Sequence, residues 1–139
     1  MSFKKSIKYP PKLWEALLFL FLIVLSYVLF AGRKEGIFRF EFFERMMPSF
    51  YSHISNFSLS FILMMTIGFI WSMMGIKFSY VFYVACLIVG LNFIYEMFLS
   101  LLNTKDIVDA FFGTAGVGFA IVFLLLFFRF GRKTQKQSK

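Results

Sequence analysis

The chain has 139 residues, of which 60% are hydrophobic, 22% aromatic and only 16% charged, whereas soluble domains average ~25% charged and leave much of a chain this short in water. Fifteen Lys and Arg against seven Asp and Glu give a net charge of +8, but the basic residues gather at the ends of the chain beside apolar runs. A soluble fold is excluded, and nucleic-acid binding falls with it, because the apolar runs leave no domain to present such a surface.

The first segment, 1–12, carries Lys4, Lys5, Lys8 and Lys12 and ends at Pro10-Pro11. An apolar run at 13–31 follows. A basic start before an apolar run has the look of a signal peptide, but the run is full length for a span and ends Leu29-Phe30-Ala31, a poor small-x-small site. It reads as an uncleaved first helix that begins at or after Pro11, where a missing N–H is tolerated. Glu15 falls within about one turn of the interface and is expected to snorkel out of the hydrocarbon.

The connection at 32–53, GRKEGIFRFEFFERMMPSFYSH, mixes charge with Phe38, Phe40, Phe42, Phe43, Met46 and Met47. It is too polar to span and too apolar to lie free in water, so it is expected in the interface, in either helical or extended form. Pro48 marks a break, and Ser49 or Ser52 offers a cap for the next helix.

Three further apolar runs, at 54–76, 79–102 and 107–128, each meet the ~17 to 25 residues that a helix needs to cross hydrocarbon. Short links at 77–78 and 103–106 force neighbouring helices to run antiparallel. The expectation is an all-α membrane protein of one domain over 1–139. It is a four-transmembrane-helix antiparallel bundle with an interfacial first extracellular loop and basic tails at 1–12 and 129–139. Ten Lys and Arg lie in the two tails and the second link, against five in the first and third links, so both termini are expected in the cytoplasm. Cys86 lies mid-span without a partner and reads as a small packing residue.

Only Glu15, Glu96 and Asp109 are charged inside the four runs. Such groups are unfavourable in hydrocarbon by ~2.5 to 3.5 kcal/mol on insertion scales, so they face protein or a water-filled cavity. Asn92, Glu96, Ser100 and Asn103 are spaced by 4, 4 and 3 and share one face of the third helix. Asp106, Asp109, Ala110, Gly113, Gly116 and Ala120 make a second stripe, acidic at one end and small below, of the kind that lets helices approach closely. His53, Asn56 and Ser60 begin a third stripe, on the second helix. The topology drawn from Lys and Arg places the polar ends of all three stripes at the outer face. They predict one ligand-binding pocket there, made by His53, Asn92, Glu96, Asn103, Lys105, Asp106 and Asp109. Arg39 and Arg45 are expected to hold phosphate. Buried hydrogen bonding that sets helix register is the competing account of each residue, and Asp106 is also well placed to cap the last helix.

His53-Ile-Ser-Asn-Phe opening one helix, Glu96 late in the next, then Asp106-x-x-Asp109 and Gly116 opening the last, together resemble the VanZ-like family of small bacterial membrane proteins. The likeness spans about His53 to Ala120. The family's glutamine, arginine and asparagine positions are occupied here by Leu99, Asn103 and Gly113, and Lys105 offers a positive charge from a shifted position. The resemblance implies the bacterial cell envelope, the plasma membrane and a link to glycopeptide antibiotic resistance.

The favoured function is therefore a non-enzymatic envelope factor. It would bind a lipid headgroup, a lipid-linked cell-wall precursor or a glycopeptide, among membrane lipids and as a homo-oligomer or as part of a membrane complex. The alternatives are a membrane-embedded acid/base hydrolase or transferase acting on a lipid-linked substrate, and a small proton-coupled exporter. No nucleophile motif and no spaced metal-ligand set appear, so no metal and no cofactor are expected.

Overall fold

The computed structural model describes residues 7–34, 36–98 and 106–131. Five helices follow in order: α1 (Leu13–Ala31), α2 (Glu41–Met46), α3 (Phe50–Met74), α4 (Phe78–Phe98) and α5 (Ile107–Leu126). A short 3₁₀ turn, Gly36–Phe38, precedes α2, and a π-helical turn, Phe127–Gly131, extends α5. There is no strand among the described residues. Four of the helices, all but α2, are long and apolar enough to cross a membrane, with mean hydropathy from 1.8 to 2.4. The chain is an all-α, multi-pass four-helix bundle.

The helix ends follow local chemistry. Lys12 is extended (φ −71°, ψ 157°) after the two prolines, and its N–H donates to Glu15 Oε2 at 2.7 Å, so the carboxylate closes the first turn of α1. Gly75 ends α3 in the left-handed region (φ 81°), where its N–H reaches the Ser72 carbonyl at 3.1 Å and the Ile76 N–H reaches that of Trp71 at 3.0 Å. A side chain there would also meet Lys8 and Tyr9. Asp106 caps α5, its Oδ1 accepting from Val108 N–H at 2.9 Å, which agrees with the expected cap. Ser49 occupies the cap position of α3 without a side-chain hydrogen bond.

α3 sits centrally, touching α1, α4 and α5, and its contact with α5 is the most extensive in the molecule. Small residues explain that closeness. A Cβ on Gly116 would collide with the Phe57 carbonyl, and one on Gly68 with Leu124, so the two backbones approach as a small-residue stripe permits. Met64, Met65, Ala120 and Leu124 fill the seam, and Val81 of α4 closes over the same core, all fully buried. α1 leans on α3 through stacked Phe19 and Phe69 rings, 4.3 Å apart. Leu22 of α1 also packs on the core, while Leu17, Leu18, Leu20, Phe21, Val24 and Leu25 face outward, as lipid contact requires.

The described ends of the chain, near residues 8–15 and 127–131, gather at one end of the bundle. There the Lys8 and Tyr9 N–H groups both donate to the Met73 carbonyl at 2.9 Å, and Gly131 rests on Glu15. Glu15 does not snorkel outward as expected. It is 1% exposed, with Oε2 committed to the Lys12 N–H and Oε1 without a hydrogen-bond partner among the described residues. Its backward reach to cap α1, together with the close approach of the turn after α5, draws it inside.

Candidate functional site

The polar residues collect at the opposite end. α3 begins at Phe50, four residues before the expected start, and so His53 lies in its opening turn. Asp109 lies in the first turn of α5. The antiparallel packing of these helices brings His53 Nδ1 to 2.8 Å from Asp109 Oδ1 and 3.6 Å from Asp106 Oδ2. Against an ionised carboxylate Nδ1 carries the proton and donates, leaving Nε2 free of that role. The Phe112 ring flanks the imidazole at 5.4 Å.

Glu96 enters from α4 and is 5% exposed. Its Oε1 accepts from Asn56 Nδ2 at 3.3 Å, and Oε2 has no hydrogen-bond partner among the described residues. The carboxylate lies against the Asp106 backbone and within electrostatic reach of Asp109 and Asp106. Four of the expected pocket residues, His53, Glu96, Asp106 and Asp109, therefore form one group, joined by Asn56.

Asn92 belongs to another layer. One helical turn further in, Asn92 Nδ2 donates to Ser60 Oγ at 3.0 Å, beside the space left by Gly113. This pair ties α3 to α4 as an interhelical hydrogen bond. Asn103 and Lys105 lie outside the described residues.

The two arginines expected to hold phosphate separate. Arg39 Nε donates to the Gly32 carbonyl at 2.9 Å, and Nη2 donates to that of Arg33 at 3.2 Å. Arg39 Nη1 sits 3.5 Å from Glu44, and the guanidinium covers the Tyr51 ring at 5.6 Å. Arg45 lies on the exposed side of α2, paired with Glu41 at 2.8 Å. It does not line the polar cavity that Arg39 shares with Arg33, Glu44, Pro48, Tyr51 and Ser52, about 310 Å³ in volume. Sequence reading placed Arg33 only as a charge on the loop. Its Nη1 donates to Ser55 Oγ at 2.7 Å, a pairing across 22 positions that no local spacing announces.

A second cavity, about 480 Å³, opens beside the histidine group and is walled mainly by Phe43, Phe50, Phe57, Phe111, Phe112 and Phe119. This size lies within the range of small-molecule sites. Phe50, on the wall of this cavity, stacks on Phe43 at 4.7 Å and meets edge-on at 5.2 Å the ring of Tyr51, which lines the polar cavity. The seven-residue steps Phe50 to Phe57 and Phe112 to Phe119 were the available signal, but in a chain with 23 phenylalanines such spacing does not stand out.

Although no metal was expected from spacing, His53, Asp106 and Asp109 each present a donor atom, and the three lie within 4.8 Å of one another. The two aspartates share α5 and its cap, so their x-x spacing is legible, but His53 joins them from α3 and no local motif marks the set of three. Compared with known proteins, the chain matches no family model, no curated protein and no solved structure.

Proposed function

We propose that the protein is a non-enzymatic, VanZ-like factor of the bacterial plasma membrane that binds a phosphate-bearing lipid at the outer leaflet. The supporting observation is the adjacency of a polar cavity edged by Arg33 and Arg39 to an apolar groove lined by six phenylalanines. An anionic lipid has this same division. Guanidinium groups suit phosphate oxygens through charge-assisted hydrogen bonds, and the groove matches an acyl or polyprenyl chain. A phospholipid and a lipid-linked cell-wall precursor share that chemistry.

The link at 32–49 supports an interfacial setting. Phe42 and Met46 on α2 are 65% and 73% exposed, while Arg45 and Glu41 pair on the same short helix. The Lys and Arg distribution supports cytoplasmic termini, an orientation in which both cavities would face outward.

The test is lipid retention by purified protein in nanodiscs, compared among phosphatidylglycerol, a polyprenyl pyrophosphate and zwitterionic phosphatidylcholine. The two lipids of net negative charge are expected to be retained over phosphatidylcholine, whose phosphate is offset by choline. Arg33→Gln with Arg39→Gln is expected to weaken retention roughly 10- to 100-fold, the worth of a charge-assisted hydrogen bond. Equal retention of all three lipids by the native protein and the double variant would refute this reading, while preference between the first two identifies the source of the phosphate.

A further inference from the structure

We propose that His53, Asp106 and Asp109 bind a divalent transition-metal ion of the Zn²⁺ class, with the Glu96 carboxylate beside the site on α4 as an outer partner. This inference stands apart from the lipid-binding reading, since it uses neither arginine and neither cavity.

The donor geometry comes first. Metal–nitrogen and metal–oxygen bonds of ~2.0 to 2.1 Å in a tetrahedral site put neighbouring donors ~3.3 Å apart. The separations from His53 Nδ1, 2.8 Å to Asp109 and 3.6 Å to Asp106, bracket that value. Rotamer adjustments of a few tenths of an ångström would admit the ion. Asp106 is already oriented for it: Oδ1 is occupied by the Val108 N–H of the helix cap, which leaves Oδ2 as the oxygen directed towards His53. Asp109 is held by the first turn of the same helix, so two of the donors share one rigid element.

Charge favours a cation in the same place. Among the described residues, His53 is the group that pairs with the two aspartates. A protonated imidazole would offset one negative charge, whereas Glu96 adds a third to the neighbourhood. A divalent ion offsets both aspartates and leaves the imidazole neutral, which is the form that coordinates. Imidazole with carboxylates suits Zn²⁺ and its neighbours in the first transition row, while Mg²⁺ and Ca²⁺ prefer oxygen alone.

Glu96 supplies the independent observation. Its side chain is buried, Asn56 fixes Oε1, and among the described residues no donor closes a hydrogen bond to Oε2, although the Asp106 backbone lies against the carboxylate. A buried carboxylate oxygen left without a donor is a rare arrangement. The proton of a water bound to the metal ion would satisfy that oxygen. The ion would thereby join α3 and α5 directly and α4 through its water.

The experiment uses the full chain in detergent, stripped with EDTA, reloaded with Zn²⁺ and passed through gel filtration before elemental analysis. About one Zn²⁺ per chain is expected by the stoichiometry of a single site, and replacement by Co²⁺ is expected to give the visible absorption of a low-coordinate complex. Asp109→Asn and His53→Ala should each lower Zn²⁺ affinity by more than the roughly 10- to 100-fold that loss of an outer partner causes, while Asn92→Ala should not. His53→Cys covers the case in which alanine prevents folding: a thiolate there is expected to add a near-ultraviolet charge-transfer band in the Co²⁺ form. Native protein that elutes without Zn²⁺, or Asp109→Asn and His53→Cys proteins that bind as the native one does with no new band, would overturn the proposal.

Discussion

His53 Nδ1 and Asp109 Oδ1 lie 2.8 Å apart although 56 positions separate them in the chain. The contact joins the opening turns of α3 and α5, and both side chains are largely buried, at 11% and 14% exposure. A charge-assisted hydrogen bond in such a place contributes ~1.5 to 3 kcal/mol. A double-mutant cycle of His53→Ala and Asp109→Asn, in detergent with metal chelated, should return a coupling energy of that order. Unfolding curves whose single-variant effects simply add would show the pair to be uncoupled.

The α3/α5 seam makes a sharper demand. Gly116 faces the Phe57 carbonyl with no room for a methyl group, whereas Gly118 has open space around it. Gly116→Ala is expected to destabilise the protein by ~1 to 3 kcal/mol through forced separation of the helices. Gly118→Ala, on the same helix and facing away, should stay within ~0.5 kcal/mol of the native protein. Equal melting temperatures for the two variants would contradict the packing.

These two features differ in how far they can be read without coordinates. The four spans are visible as apolar runs because hydrocarbon imposes length and composition on any helix that crosses it. The His53, Glu96 and Asp109 grouping is legible too, since polar residues at helical spacing must find one another when lipid offers no partner. Arg39 was less accessible: the carbonyls of Gly32 and Arg33 engage it through a local loop conformation that periodicity does not encode. Glu15 was misplaced for a similar reason. Its distance from the span's end is readable, but the π-helical turn that brings Gly131 over it is a matter of tertiary packing.

The Ser60–Asn92 pair tests whether polarity in this bundle always means function. Asn92→Ala should cost ~0.6 to 1.7 kcal/mol, the range for interhelical hydrogen bonds in membranes, and should leave lipid retention and Zn²⁺ affinity at native values. A loss of either binding activity in a folded variant would move Asn92 into the site.

The phenylalanine groove is open to a steric test. Ala115 lines it and is exposed, so Ala115→Trp would fill the cavity without entering the core. Lipid retention is expected to fall while the melting temperature holds. Unchanged retention would place the hydrocarbon chain elsewhere.

Orientation is measurable with the single native thiol removed. In a Cys86→Ser background, Gly36→Cys on the first link should react with a membrane-impermeant maleimide added to intact cells. Lys77→Cys, at the other end of the bundle, should react only after lysis. The reverse pattern would invert the proposed topology.

His53 is the only histidine in the sequence, and its ring rests against Phe112, which also forms part of the groove wall. The chain thus carries a built-in spectroscopic reporter. One set of imidazole resonances, needing no residue-by-residue assignment, would register both the arrival of a hydrocarbon chain behind Phe112 and the exchange of a proton for a metal at Nδ1. The former would act through aromatic ring current and the latter through nitrogen shielding, so a single spectrum could separate two binding events at one end of a four-helix bundle.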